Sequence, residues 1–115
     1  MRNPADILAK AEVLEEKGNY AEAERLYKKA LALKSKEVGS DSTELVPYVY
    51  NLAMSQYVVD HLDDALLSFS RLLSIYSRED EHISGDIQEI RGLIGDIKRE
   101  LVEGEPADLP LAAGA

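Results

Sequence analysis

Apolar residues recur every three or four positions along most of this chain, which is the spacing of one face of an α-helix. Three predicted helices carry the stripes Ile7, Leu8, Ala11 and Leu14, then Ala23, Leu26, Tyr27, Ala30, Leu31 and Leu33, then Leu45, Val46, Val49, Leu52, Ala53 and Tyr57. Two more carry Ala65, Leu66, Phe69, Leu72, Leu73 and Tyr76, then Ile83, Ile87, Ile90, Ile94, Ile97 and Leu101. No stretch alternates as a strand would, so the pattern predicts an all-α protein.

Capping residues predict where several of these helices begin and end. Asn3 is a good N-cap for the first helix, and Gly18 favours the left-handed backbone that ends one. Asn19 and Glu22 have the spacing of a capping box at the start of the second helix. We expect Pro47 to lie about one turn inside the third helix, where it would remove one backbone hydrogen bond and make the start of the helix slightly irregular.

The last residues lose this periodicity. The stretch EPADLPLAAGA contains two prolines and several small residues, so we expect residues 104–115 to form a disordered tail. The predicted helical domain therefore spans residues 1–103. It divides into a first repeat at about 4–38, a second at about 42–78, and a capping helix at about 84–103.

The sequence contains an internal repeat, which appears when it is aligned with itself so that Ala23 falls on Ala65. The same shift places aromatic on aromatic residues, Tyr27 on Phe69, and small on small ones, Ala11 on Ala53 and then Gly95. Small residues at these positions are expected to let neighbouring helices approach closely. Because a helical repeat leaves one apolar face bare, the fifth helix is expected to cover the second pair.

Composition narrows the functional classes. A chain of 115 residues suits one small domain, and its formal net charge of −9 repels phosphate backbones, so nucleic acid is an unfavourable partner. There is no cysteine, which excludes thiol chemistry and cysteine-based metal sites. The start does not resemble a signal peptide, and no segment is apolar over the roughly 18 residues of a membrane span. We expect a soluble cytoplasmic protein.

Catalytic and metal-binding patterns are weak. Glu79 and His82 have a Glu–x–x–His spacing but fall in a polar connector, and capping explains the acidic residues beside His61 better than a metal site does. Neither histidine belongs to a recognisable catalytic triad, and there is no phosphate-binding glycine loop. We expect no enzymatic activity, no metal and no cofactor.

The repeat resembles the tetratricopeptide repeat. That family's pattern of glycine, aromatic and alanine positions appears as Gly18, Tyr20, Ala23, Tyr27, Ala30 and Leu31, and more weakly as Asp60, Leu62, Ala65, Phe69, Leu72 and Leu73. A connector and helix similar to kinesin-light-chain-type repeats, which have the same period, appear as Gly39, Asp41, Asn51, Leu52 and Ala53. The resemblance covers residues 4–103. It implies a right-handed α-solenoid of two helical hairpins plus a C-terminal capping helix, and a protein–protein interaction adaptor or scaffold.

The resemblance also implies that the first helix of each hairpin lines a concave groove. The groove is then predicted to contain Leu8, Glu12, Glu15, Glu16, Tyr50, Asn51, Met54, Tyr57, Val58, Asp96 and Arg99. Aromatic side chains flanked by carboxylates favour a peptide or helix with basic and apolar residues. Alternatively, Tyr50, Met54 and Tyr57 pack on their own neighbours, and Arg99 pairs with Glu103. The carboxylates of Glu12, Glu15 and Glu16 would then form only a solvated helix face. Self-assembly through the ends of the stack, or a role as an accessory subunit of an enzyme complex, stays open as an alternative function.

Overall fold

The computed structural model describes residues 3–76 and 84–114, with side chains of the last helix described from residue 87 to residue 103. These residues form five α-helices and one short 3₁₀ turn, with no strand among them. The helices are α1 (Pro4–Glu16), α2 (Tyr20–Val38), α3 (Val46–Val58), α4 (Leu62–Tyr76) and α5 (Ser84–Gly114). The all-α prediction is confirmed. Ile83, Glu79 and His82 lie outside the described residues.

The first hairpin begins and turns as its capping residues predict. Asn3 Oδ1 accepts a hydrogen bond of 2.8 Å from the backbone N–H of Ala5, which satisfies one of the free donors at the start of α1. Gly18 has φ 84°, a left-handed conformation that a residue with a Cβ adopts only at a cost. The chain can therefore reverse within a short turn between α1 and α2.

The predicted capping box at the start of α2 is wrong. Asn19 has ψ 68°, outside the extended region from which an N-cap side chain reaches the first turn, and it makes no such hydrogen bond. Glu22 instead contacts the guanidinium of Arg25 one turn further along the helix, where Arg25 Nε lies 3.2 Å from the carboxylate. The helix therefore starts without a side-chain cap from Asn19.

The irregular start expected for the third helix is observed, although Pro47 lies in the first turn of its α-helical part rather than one turn inside it. Residues Thr43–Leu45 form a 3₁₀ turn, which Ser42 Oγ caps by accepting a 3.0 Å hydrogen bond from the N–H of Glu44. The α-helix α3 begins only at Val46, so Pro47 stands in its first turn. A proline there removes no intrahelical hydrogen bond, because the first N–H groups of a helix have no partner within it.

The helices pack in chain order, α1 on α2, α2 on α3, α3 on α4 and α4 on α5. The start of α3 follows that of α1 at the same interval as the start of α4 follows that of α2. Ala11, Ala23, Ala53 and Ala65 are all fully buried, as close-packing positions should be. Gly95 differs, because it is exposed and a Cβ built on it would meet nothing within 4 Å. The interpretation of that glycine as a close-packing point is wrong.

The fifth helix buries its isoleucine stripe. Ile90, Ile94 and Ile97 belong to the core, and Ile87 and Leu101 pack partly against it. The helical backbone continues to Gly114, and the disordered tail expected over residues 104–115 stays a prediction.

A helix that crosses a bilayer must be both long and predominantly apolar. Within residues 3–76 and 84–114, none of the helices has the length and apolar character that such a crossing requires.

Candidate functional site

The end of α1 carries three of the predicted groove residues. Glu12 and Glu16 are exposed, whereas Glu15 is half-buried and accepts a 2.7 Å hydrogen bond from the hydroxyl of Tyr27 on α2. Glu15 therefore holds the first hairpin together. Only Glu12 and Glu16 of this group are fully available to a partner.

The three carboxylates create a negative field at this end of the hairpin. The pKa of the Tyr27 phenol is raised above its usual value of 10, first by burial and then by the hydrogen bond to Glu15, with further contributions from Glu15, Glu12 and Glu16. The last turn of α1 contains no basic residue to balance them. Since a helix C-terminus is itself partly negative, this surface favours a cationic partner.

The middle row of predicted groove residues lies on α3, and much of it is used internally. The ring of Tyr57 meets the ring of Phe69 on α4 edge-on, with centroids 6.4 Å apart and planes at 79°. Asn51 Nδ2 donates a 2.8 Å hydrogen bond to the backbone carbonyl of Pro47, one turn earlier. Met54 is half-buried against the core, and Val58 is 53% exposed at the end of the helix.

Tyr50 lies in an open cleft where α3, α4 and α5 meet. The cleft has a volume of about 250 Å³ and is lined by Val46, Pro47, Tyr50, Tyr76, Glu89 and Ile90. Five of the six lining residues are aliphatic or aromatic, and the sixth, Glu89, is exposed. Of these six residues, only Tyr50 was among the predicted groove residues.

Helical spacing contained a partial signal for the residues that were missed. Glu89 lies two helical turns before Asp96, the first of the groove residues predicted on α5. Tyr76 lies on α4, the second helix of its pair, so a search restricted to first helices could not include it. Its place in the cleft depends on how α4 and α5 pack.

The remaining groove predictions fall at the two ends of the stack. Leu8 of α1 is partly buried against the core. On α5, Arg99 Nη1 lies 3.1 Å from Asp96 Oδ1, and both side chains are more than half exposed. Arg99 thus pairs with Asp96 one turn before it, where the sequence had offered Glu103 as its partner.

A polar network that the sequence did not predict joins the two hairpins. Glu24 of α2 is only 7% exposed, and its carboxylate accepts a 3.3 Å hydrogen bond from Gln56 Nε2 on α3. Gln56 Oε1 in turn accepts a 2.7 Å hydrogen bond from Ser68 Oγ on α4. The other Glu24 oxygen lies 3.0 Å from His61 Nδ1, so four side chains from separate segments share one network.

Paired antiparallel helices that repeat at a constant interval define an α-helical repeat protein. The sequence model of the tetratricopeptide repeat family matches residues 4–78, most of the chain and both hairpins, and the chain belongs to that family. Tetratricopeptide repeats generally mediate protein–protein interactions and are not a catalytic family. A search of curated proteins finds no match. The likeness to kinesin-light-chain-type repeats, self-assembly and an accessory-subunit role stay predictions.

Proposed function

We propose that this protein is a non-catalytic adaptor that binds a segment of another protein in the cleft around Tyr50. The observation that carries the proposal is the cleft itself, which combines apolar walls with an exposed carboxylate on Glu89. It lies between α3, the first helix of the second hairpin, and α5, the helix that follows that hairpin. The family resemblance implies that first helices line the binding groove.

The walls of the cleft suit an apolar anchor on the partner. Val46, Pro47 and Ile90 offer aliphatic surface, and Tyr50 adds an aromatic ring with a hydroxyl group. Contact with ring faces and aliphatic groups is most favourable in free energy when a leucine, isoleucine, methionine or phenylalanine side chain replaces water. Such anchors in a pocket contribute most of the free energy in many protein interfaces.

The charges around the groove suit basic residues beside that anchor. Within the described side chains no basic group pairs with Glu89, Glu12 or Glu16, and all three are exposed. Together with the net charge of −9, they attract lysine and arginine and repel acidic segments. The partner is therefore a segment in which basic residues flank an apolar anchor.

Selection from a displayed library of random peptides tests this proposal without knowledge of the client. We expect the full chain to enrich peptides with lysine or arginine around one large apolar residue. Tyr50→Ala should lose these peptides because the anchor loses its aromatic wall, and Glu89→Gln should lower the preference for basic residues. Binding should also weaken as salt is raised, because exposed charge pairs are screened.

Two matched variants control for general effects. Tyr20→Ala removes an exposed tyrosine from α2, and Glu37→Gln removes one negative charge from the same helix. Both should bind the enriched peptides like the unmodified protein. Enrichment of acidic peptides would contradict the charge argument, and equal binding by Tyr50→Ala would exclude the cleft.

A further inference from the structure

We propose that Glu24, His61 and Asp64 form a binding site for a divalent transition-metal ion of the zinc type, which would join the two hairpins. One potential ligand atom from each residue lies within 4.8 Å of the others. The site is separate from the Tyr50 cleft, so the proposal does not depend on the adaptor function. It would add metal-dependent coupling between repeats to a protein whose hairpins otherwise meet through side-chain packing and a hydrogen-bond network.

The three residues come from two different segments. Glu24 lies on α2 of the first hairpin, while His61 immediately precedes α4 and Asp64 stands in its first turn. Asp60, just before His61, has φ 65°, and this left-handed turn sets the direction in which the chain enters α4. A metal ion bound here would hold the start of α4 against α2.

The donor atoms indicate the class of metal. An imidazole nitrogen with two carboxylate oxygens suits zinc and neighbouring transition metals, whereas calcium and magnesium prefer oxygen ligands alone. With bonds of about 2.1 Å, tetrahedral ligand atoms stand roughly 3.4 Å apart. His61 and Asp64 are exposed and can close this distance by side-chain rotation. Three protein ligands leave one position for water.

Glu24 is the anchor of the site because it is nine-tenths buried and held in place. Its Oε2 accepts the hydrogen bond from Gln56, which is itself buried and held by Ser68. Its Oε1 is directed at His61. One oxygen is thus fixed by the protein and the other faces the imidazole, and hydrogen bonds of this kind orient metal-binding carboxylates.

The neighbouring charges favour a cation. Lys28 Nζ lies 3.5 Å from Glu24 Oε2, but its side chain is 58% exposed and can move into solvent. Two further carboxylates, Asp60 and Asp63, flank His61 in the sequence. They offset Lys28 and the positive end of the α4 dipole, which would otherwise oppose a metal ion at this position.

Sequence spacing alone cannot reveal this site. The acidic residues around His61 resemble an ordinary helix start, and Glu24 stands far earlier in the chain on another helix. Only the packing of α2 against the second hairpin brings the buried carboxylate to the imidazole.

Zinc titration of the full chain by calorimetry, together with thermal unfolding with and without zinc, tests the proposal. We expect one zinc ion per chain and a rise in the melting temperature. Magnesium and calcium should produce neither effect. Cobalt should bind in place of zinc and give the visible absorption of a four-coordinate ion. Acidification should weaken binding, because protonated imidazole cannot act as a ligand.

Variants locate the ion. His61→Asn and Asp64→Asn change exposed side chains, so both should fold and should lower zinc affinity by about tenfold or more. His82→Asn changes the chain's other histidine and should leave binding unchanged, whereas Lys28→Ala should strengthen it. The proposal is overturned if zinc does not bind at millimolar concentration, if His61→Asn binds as tightly as the unmodified protein, or if His82→Asn abolishes binding.

Discussion

In each hairpin a buried aromatic residue of the second helix contacts the first helix, but the two contacts differ in chemistry. In the first, the buried ring of Tyr27 donates a 2.7 Å hydrogen bond through its hydroxyl to Glu15. At the corresponding positions of the second hairpin, the buried ring of Phe69 meets the edge of Tyr57. A carboxylate and a phenol ring thus occupy equivalent places on α1 and α3.

The turns between helices show the same kind of difference. Gly18 has φ 84° between α1 and α2, and Asp60 has φ 65° at the equivalent point between α3 and α4. Glycine adopts this conformation without steric strain, whereas aspartate is among the few other residues that tolerate it. The two repeats therefore share the left-handed turn and the buried aromatic ring, while the side chains that form each turn and contact each ring differ.

This comparison also explains why two of the predicted groove residues are engaged inside the protein. Glu15 and Tyr57 occupy equivalent positions, and each reaches the aromatic residue of the second helix in its own hairpin. A position that helical spacing places on the groove can still turn its side chain toward the hairpin partner.

The largest effect is expected from removing either buried ring. Tyr27→Ala and Phe69→Ala should each lower the free energy of unfolding by about 3–5 kcal/mol, because each creates a cavity in a fully buried site. Urea denaturation followed by circular dichroism measures this. If the two rings contribute equally to stability, the two losses of unfolding free energy should agree within about 1 kcal/mol. A loss of less than about 1 kcal/mol for Phe69→Ala would show that this ring is not part of the core.

Exchanging the chemistry of the hairpins should give the next largest effect. Phe69→Tyr places a hydroxyl beside the Tyr57 ring without its usual carboxylate acceptor and should cost about 1–3 kcal/mol. Adding Tyr57→Glu should recover part of that loss by recreating the contact of the first hairpin. A double-mutant cycle by urea denaturation measures the coupling, and strictly additive losses would contradict the equivalence of the two contacts.

Alkaline pH should distinguish the hairpins through the phenol of Tyr27. Its pKa is raised in the folded protein, by burial and by Glu15, while in the unfolded chain it stays near 10. Above about pH 10 the unfolded state releases the proton that the folded state keeps, so stability falls by up to roughly 1.4 kcal/mol per pH unit. Below pH 10 this contribution does not change with pH.

Tyr27→Phe is the matched control for that pH dependence. The other five tyrosines of the chain are common to both proteins, so the difference between their unfolding curves isolates Tyr27. The variant should lose less stability from pH 9 to pH 11 than the unmodified protein. Parallel curves would show that the phenol ionises as easily in the folded protein as in the unfolded chain.

The smallest effects are expected at the turns. Asp60→Gly should stabilise the protein by about 0.5–1 kcal/mol, because glycine relieves the left-handed strain. Gly18→Asp should destabilise it by a similar amount. Thermal unfolding of the two variants measures both changes. A destabilising Asp60→Gly would mean that the aspartate side chain contributes more than its backbone conformation costs.

Local sequence determined much of this protein. The periodic apolar stripes place all five helices, and Asn3 and Gly18 set the ends of α1, because helix periodicity and capping act over one or two turns. The constant interval between equivalent positions of the two hairpins likewise follows from the chain alone. Local reasoning was less successful at Asn19 and at the exact position of Pro47, where several backbone choices were each compatible with the residues.

Only the tertiary structure decided which surfaces come together. The Tyr50 cleft takes Glu89 and Tyr76 from two other helices, and Glu24 meets His61 across the junction of the hairpins. Those contacts depend on the distances and rotations with which whole helices pack. Periodicity along one helix identifies the face that it buries, but it contains no information on which distant side chain will lie opposite.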